Sequence, residues 1–383
     1  MLKDCVAILT IGSSNINIIV GKKGVNNTFS FHANITRDYY AFLNGEFTDI
    51  KELESVISEM FTTITKSTEI SEINKIYVGI PGEFHKTLTK NYKITFNKLK
   101  TIGVNELITL YDLAYEATDV EYSLAHRSAV YFAVDNVKVD NPLGKKCTSL
   151  GGRLSYSLVT NNFKEVITSI LRKCKVKDVY FISEDYAESQ YLFTKSEKNV
   201  CKILIDIGSV TTSFSVSVGN GLLFSGSVPV GGGMISAYLY DKFNCEYYIA
   251  ELLKQKINLG LRENAQANYY IVDNDGEDFR FSRNITNDIA KSVLDEIAEK
   301  FERVFATCPL KIPSDTDTYF TGGGICNIRG AVEYISTRIG VLPKTVKPTL
   351  PHFDKPQYSA RLSLLDTALN VCNDKIFFKK DKV

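Results

Sequence analysis

Asp206, Gly208, Ser209 and Thr211 fall together in VCKILIDIGSVTTSFSVSV, residues 200–218, and their types suit phosphate chemistry. A carboxylate can hold a nucleotide's metal ion, while hydroxyls and the N–H groups of a glycine turn can meet phosphate oxygens. Such a turn works only if strands hold it on both sides. Residues 203–207 form the β-branched run a buried strand needs, and residues 213–218 alternate as a returning strand would. An Asp-x-Gly turn alone is most often a plain hairpin.

Two related stretches strengthen the reading. Residues 5–11 are apolar except for Thr10, turn at Gly12, Ser13 and Ser14, and resume as Ile16, Ile18, Ile19 and Val20. Further on, a short strand at 318–320 leads into Thr321, Gly322, Gly323 and Gly324, with a helix expected from Asn327 onward. A strand, a glycine-rich turn and a helix start together let a flat ring or a phosphate approach the backbone. Gly231, Gly232 and Gly233 close another strand at 222–230. Glycine turns that each follow a strand predict a nucleotide cleft, although close packing uses the same residues.

The bulk numbers limit the alternatives. At 383 residues the chain needs more than one core. With 45 basic and 44 acidic residues it has no basic excess, so nucleic acid is not expected as a partner. The eight cysteines are scattered without C-x-x-C pairs and read as reduced core thiols of a cytoplasmic protein. No apolar run approaches the ~18 residues of a membrane span.

The elements that would position these turns are partly legible. Apolar residues at Leu53, Val56, Ile57, Met60 and Ile64 predict a one-faced helix over 49–66. Residues 75–160 are strand-rich, with alternation at Ile76, Val78 and Ile80 and again at Tyr92, Ile94 and Phe96, a helical stripe at Leu107, Leu110, Tyr111 and Ala114, and one long strand over 129–139. A block of that texture between two α/β stretches reads as an inserted subdomain. A short strand at 179–182 leads to Glu184, a helix over 247–257 carries Glu251 and Lys254 as neighbours, and 269–281 form a hairpin around Asp273, Asn274, Asp275 and Gly276. Ile285, Ile289, Val293, Ile297, Phe301 and Val304 mark a long amphipathic helix.

This order of pieces resembles the actin, hexokinase and heat-shock ATPase superfamily, and within it the FtsA family of bacterial cell-division proteins. The resemblance rests on LTIGSSNINIIVG, LIDIGSVTTSFSV, AELLK, YFTGGGICNIRG and HRSAVYFAVDNVKVDNPLGKKCTSL. It implies an α/β, actin-like (ribonuclease H-like) two-domain fold with an FtsA-type inserted α+β subdomain. Residues 1–74 and 161–199 would form the first domain and 75–160 the insertion. Residues 200–232 and 304–375 would form the second domain, 233–303 a partner-docking subdomain, and 376–383 a tail. ATP with Mg2+ would bind through Gly12, Ser13, Ser14, Asp206, Gly208, Ser209, Thr211, Gly232, Glu251, Lys254, Thr321, Gly322, Gly323 and Gly324, with Asp206 on the metal side. Glu184 stands where relatives order the attacking water; a helix-start carboxylate is the alternative. The implied partners are the FtsZ C-terminal peptide, further copies of the chain, other division proteins and, peripherally, the inner face of the membrane at the division site.

Thr10 and Asn15 replace an acidic and a basic residue of the family's first phosphate loop, and Val210 and Ser213 replace a glycine and an Asp of the second. Lost charge at a phosphate site removes transition-state stabilisation, so slow or absent hydrolysis is expected. Ile376, Phe377 and Phe378 beside Lys379, Lys380 and Lys382 could touch an anionic bilayer, but a frayed tail is the expected state. A PilM-like scaffold of a pilus or secretion machine and a small-molecule kinase of the same superfamily are the competing readings.

Overall fold

The computed structural model describes residues 4–12, 14–43, 45–117, 119–260, 268–274 and 276–379. It divides into two compact units, one of Met1–Lys202, Ser215–Gly226 and Ala360–Val383, the other of Ile203–Phe214 and Ser227–Ser359.

The first unit opens with β1 (Val6–Ile11), β2 (Asn15–Lys23) and β3 (Phe29–Asp38), an antiparallel meander. Every residue of β1 is buried, which explains its apolar run, with Thr10 the one polar exception. The small ribbon β4 (Phe42–Leu43) and β5 (Glu46–Phe47) precedes α1 (Ile50–Ser67). Asp49 starts that helix by accepting the N–H groups of Lys51 at 2.8 Å and Glu52 at 3.0 Å. The helix buries Leu53, Ile57, Met60, Phe61 and Ile64, then hands the chain to β6 (Lys75–Ile80), parallel to β1.

Next come β7 (His85–Thr101), α2 (Val104–Ala114), β8 (Tyr122–Val134), β9 (Val137–Val139) and β10 (Lys146–Thr160). The strands make a separate sheet in the order β7-β10-β8-β9, with Leu107, Leu110 and Tyr111 of α2 in its core. The long strand expected over 129–139 is in fact a hairpin. Asp135 at φ 47° and Asn136 at φ 69° both take the left-handed conformation of a tight hairpin turn. The Asp135 carboxylate accepts the N–H groups of Thr148 and Ser149 at 3.0 and 2.8 Å, which fixes the turn against β10.

Helix α3 (Asn161–Lys173) returns to the first sheet, where β11 (Asp178–Ser183) pairs parallel to β6 and completes the order β11-β6-β1-β2-β3. The short helices α4 (Glu184–Tyr191) and α5 (Lys195–Lys198) follow. Helices α1 and α3 cover one face of this sheet with Ile57, Met60, Phe163 and Ile167.

Strands β12 (Lys202–Ile207), β13 (Thr212–Val218) and β14 (Gly221–Val228) come next. The chain goes on through α6 (Gly233–Phe243), α7 (Tyr247–Lys256), the β15 (Tyr269–Asn274) and β16 (Glu277–Ser282) hairpin, α8 (Arg283–Phe305), β17 (Asp317–Thr321) and α9 (Ala331–Ile339). The strand order β14-β13-β12-β17 sets β12 beside β17 in the second unit. Helix α6 has no counterpart among the sequence expectations. The helix expected from Asn327 starts only at Ala331, because Gly330 at φ 80° closes a preceding turn. Asp275 of the expected hairpin turn lies outside the described residues.

Finally α10 (Ser359–Val371) packs Leu364, Leu365 and Ala368 on the second face of the first sheet, against Val6, Ile8 and Ile19. Residues 374–378 are held in place. The Asp374 carboxylate accepts the N–H groups of Ile376 at 2.7 Å and Phe377 at 3.3 Å, and Arg127 donates to the Phe377 carbonyl at 2.8 Å. Phe377 is buried and Phe378 packs on Tyr77 and Tyr180, so these rings serve the core of the first unit. That corrects the expectation of a frayed or bilayer-facing segment for residues 376–378; Lys380 and Lys382 lie outside the described residues. Among the described residues no helix is long and apolar enough to cross a membrane. The eight cysteines are free, but only Cys5 and Cys147 are fully buried, fewer than core thiols would require.

Candidate functional site

In the second unit, three turns meet around one carboxylate. Strand β12 ends at Ile207, and the N–H of Gly208 donates to Thr211 at 2.9 Å, closing the turn into β13. Gly232 donates to the Gly208 carbonyl at 2.9 Å and Gly233 to that of Ser209 at 2.7 Å. From the end of β17, Gly324 donates to Ile207 at 2.7 Å. Residues 206–209, 231–233 and 322–324 therefore form one junction, and Asp206 sits half-buried within it.

The glycines are needed for this approach. A Cβ on Gly322 would lie 2.0 Å from Oδ1 of Asp206, one on Gly232 2.1 Å from the Gly324 carbonyl oxygen, and one on Gly324 2.2 Å from that of Gly208. Gly322 also holds φ at 91°, a conformation that favours glycine. The amides of Gly208, Gly232 and Gly324 are committed to the protein's own carbonyls. The side chains of Asp206, Ser209 and Thr211 at this junction are half-buried.

Cys326 is a neighbour that sequence reasoning missed. Its thiol donates to the Thr321 carbonyl at 3.4 Å and is pushed up to about 12, by burial first and then by the nearby Asp206 charge. No spacing rule flags a lone cysteine after a glycine turn. The Thr321 hydroxyl pairs with that of Ser359 at 2.7 Å, in the interior rather than toward a ligand. Gly323 packs beside Gln357, whose amide oxygen accepts from Asn327 at 2.9 Å.

Glu251 and Lys254 form an ion pair at 3.0 Å on α7, with the lysine side chain only 13% exposed. The loop after α7 is pinned near α9, since Leu259 donates to Arg329 at 2.8 Å and a Cβ on Gly330 would meet the Gly260 nitrogen at 2.5 Å. In this way the pair and the 322–324 turn belong to one packed body.

In the first unit, Gly12 donates to the Asn15 carbonyl at 2.8 Å, closing the turn between β1 and β2, and Ser14 accepts from Tyr39 at 3.1 Å. Ser13 lies outside the described residues. Thr10 is buried opposite Asn17, whose amide donates to Asn34, Ile35 and Thr36 at 2.8 to 3.0 Å. Glu184 opens α4 and folds back on β6, because a Cβ on Gly79 would lie 2.4 Å from its Oε1. Its side chain is half-buried, unlike a solvated helix-start carboxylate.

Beside Glu184 lies a buried polar group that the sequence reading passed over. Asp185 Oδ2 lies 3.0 Å and Ser183 Oγ 3.2 Å from the same nitrogen, Nδ1 of His85, and the Ser183 N–H donates to Nε2 of His126 at 3.2 Å. A nucleophilic triad needs serine and carboxylate on opposite ring nitrogens, so this network is structural.

Among the described residues no group of three or more His, Cys, Asp or Glu side chains converges on a metal position. Magnesium shared with phosphate oxygens and water needs only one or two carboxylates, and Asp206 fits that role. The ion would neutralise phosphate charge there.

No protein-family model matches the chain. Over 96% of its length it is 22% identical to the cell division protein FtsA of Pseudomonas aeruginosa, covering 89% of that protein. Among solved structures it resembles a chain of the PilM–PilN type IV pilus biogenesis complex, with a TM-score of 0.62 and 14% identity over 95% of this chain and 98% of that one. It also resembles MreB5 of Spiroplasma citri bound to ADP, with a TM-score of 0.57 and 13% identity over 97% and 99% of the two chains. The chain is a distant homologue of FtsA over nearly its full length and has a mixed α/β, actin-like fold.

Proposed function

We propose that this protein is an FtsA-like adaptor of the cell-division machinery, which binds ATP with magnesium, assembles with further copies of itself and links the FtsZ ring to the membrane and to later division proteins. The observation that carries the reading is the full-length likeness to FtsA, together with the glycine junction that holds Asp206. In this account Asp206, Ser209 and Thr211 meet the phosphate and metal side. Glu251 and Lys254 meet the ribose and base, and Gly322, Gly323 and Gly324 meet the adenine. The inserted sheet is the FtsA-type subdomain. Thr10, Asn15, Val210 and Ser213 remove charge and glycine from the phosphate turns, so ATP is held and turned over slowly or not at all.

Partner docking falls to residues 233–303. Tyr238, Tyr240, Tyr247, Tyr248 and Tyr269 expose their rings on α6, α7 and β15 there. Aromatic rings with a polar tip are enriched where proteins meet. A second reading, a PilM-like scaffold, is favoured by the likeness to a chain of the PilM–PilN complex. Fluorescence anisotropy with an FtsZ C-terminal peptide and, separately, a PilN peptide tests the two. Binding of the FtsZ peptide that weakens about ten-fold in Tyr248→Ala supports the adaptor reading; binding of the PilN peptide alone replaces it with the scaffold.

A further inference from the structure

Within the first unit lies a cavity of about 590 Å³. Its walls come from the β8–β9 hairpin, β10, α5 and the turn between β13 and β14. The fold builds this place closely. Asn220 bridges to Ala129, a Cβ on Gly219 would lie 2.2 Å from the Val130 carbonyl oxygen, and the Gly219 N–H donates to Lys198 at 2.6 Å.

The cavity is unusual in its charge. A chain with 45 basic and 44 acidic residues places Lys138, Arg153, Lys195 and Lys198 around it against one carboxylate, Asp140. Some lysines elsewhere are answered by acids, as in Lys86 with Asp119 at 2.8 Å and Lys173 with Glu54 at 2.7 Å. Among the described residues, none of the four cations here has such an ion pair. Lys198 donates instead to the carbonyl and side-chain oxygens of Gln190, both at 3.2 Å. Burial lowers its pKa, the charge of Asp366 partly offsets that, and the charge of Lys195 lowers it again. Gathering like charges at a partly desolvated place opposes folding, and a bound anion would offset that cost. Val130, Phe132 and Leu223 give the same cavity apolar wall. Its volume is in the range of small-molecule sites and exceeds what an inorganic anion fills.

We propose that this cavity binds a phosphate monoester with an apolar body, its phosphate held by Arg153, Lys195 and Lys198 and its body set against Phe132 and Leu223. Arg153 supplies the two-pronged geometry that phosphate oxygens accept, while the lysines supply point charges.

The probe is phenyl phosphate, titrated calorimetrically into the full chain at low salt, with inorganic phosphate and benzoate as comparison arms. Saturable binding is expected for phenyl phosphate, weaker by at least about ten-fold in the double variant Arg153→Gln/Lys195→Gln and unchanged in Asp206→Ala. The variant's thermal midpoint checks that it still folds. As a second readout, phenyl phosphate should protect Lys195 and Lys198 from acetylation, read by mass spectrometry. No binding up to about 10 mM, or binding that survives the double variant without lysine protection, overturns the proposal. Binding lost in Asp206→Ala overturns it as well, by assigning the phosphate to the glycine junction. Benzoate binding as tightly as phenyl phosphate overturns the phosphate assignment.

Discussion

Phe377 lies face to face with the imidazole of His126, ring centroids 4.5 Å apart and planes 7° from parallel. Tyr186 closes on both rings, 4.8 Å from the imidazole and 5.6 Å from the phenyl ring. A residue near the described C-terminal end is therefore part of the packing between β8 and α4. Phe377→Ala would remove the ring and leave a cavity, which costs about 3 to 5 kcal/mol at buried sites. The expected outcome is a lower urea midpoint in the variant than in the wild type, followed by near-ultraviolet circular dichroism. An unchanged midpoint would mean that the segment docks without contributing stability.

Protonation of His126 should oppose folding. Burial holds its pKa well below the usual 6.5, and the neighbouring His85 adds to the effect. Above about 6.5 the ring is neutral in both states and contributes no pH dependence. As pH falls below that value the unfolded chain takes up the proton first, and stability declines by at most about 1.4 kcal/mol per pH unit for this one group. Urea unfolding at pH 7.5, 6.5 and 5.5 should show that decline, reduced in His126→Gln. An identical slope in the variant would assign it to other groups.

Glu83 has the opposite sign. Burial raises its carboxyl to about 6, although the N–H of Gly45 donates to it at 3.3 Å. A raised folded pKa stabilises the protein below the ordinary carboxyl value, and that contribution is lost as pH rises through about 6. Glu83→Gln should therefore raise stability at pH 7.5 by about 1 kcal/mol, a figure discounted for remaining solvent contact, and the gain should vanish near pH 4. Differential scanning calorimetry at the two pH values checks the difference.

Gly322→Ala tests the junction itself. The new methyl group would meet Asp206 and require a left-handed backbone, a combination costing about 2 to 4 kcal/mol. Limited proteolysis should cut the second unit sooner, and nucleotide affinity should fall. Gly276→Ala also sits at positive φ, at 85°, but its Cβ would meet nothing within 4 Å. Its smaller effect separates crowding from backbone strain.

The parts of this fold that local periodicity specifies were legible in the sequence. Strand β1 and helix α1 follow from the apolar run before Gly12 and from the stripe of Leu53, Ile57, Met60 and Ile64. The β8–β9 turn was not, because Asp135-Asn136 lacks the glycine that usually signals a tight hairpin, and valines on both sides suggest one strand. Helix α8 was legible in extent and in part of its face, since Val293, Ile297 and Phe301 are buried as expected. Ile285 is exposed, while Thr286 and Ala290 are buried, since small residues that fit a close contact carry little hydropathy signal. The docking of Phe377 depends on His126 and Tyr186, residues far away in sequence, and no local pattern reports such a contact. At the candidate site the glycine turns and Asp206 could be read directly, whereas the Cys326 and Gln357 neighbours required the folded chain.

Calorimetric titration of the full chain with ATP, in magnesium and again in EDTA, tests the central claim most directly, with Asp206→Ala alongside. The account predicts saturable binding in magnesium that weakens at least about ten-fold in EDTA and in the variant. No binding of ATP in either buffer, or binding equal in all three arms, would contradict it.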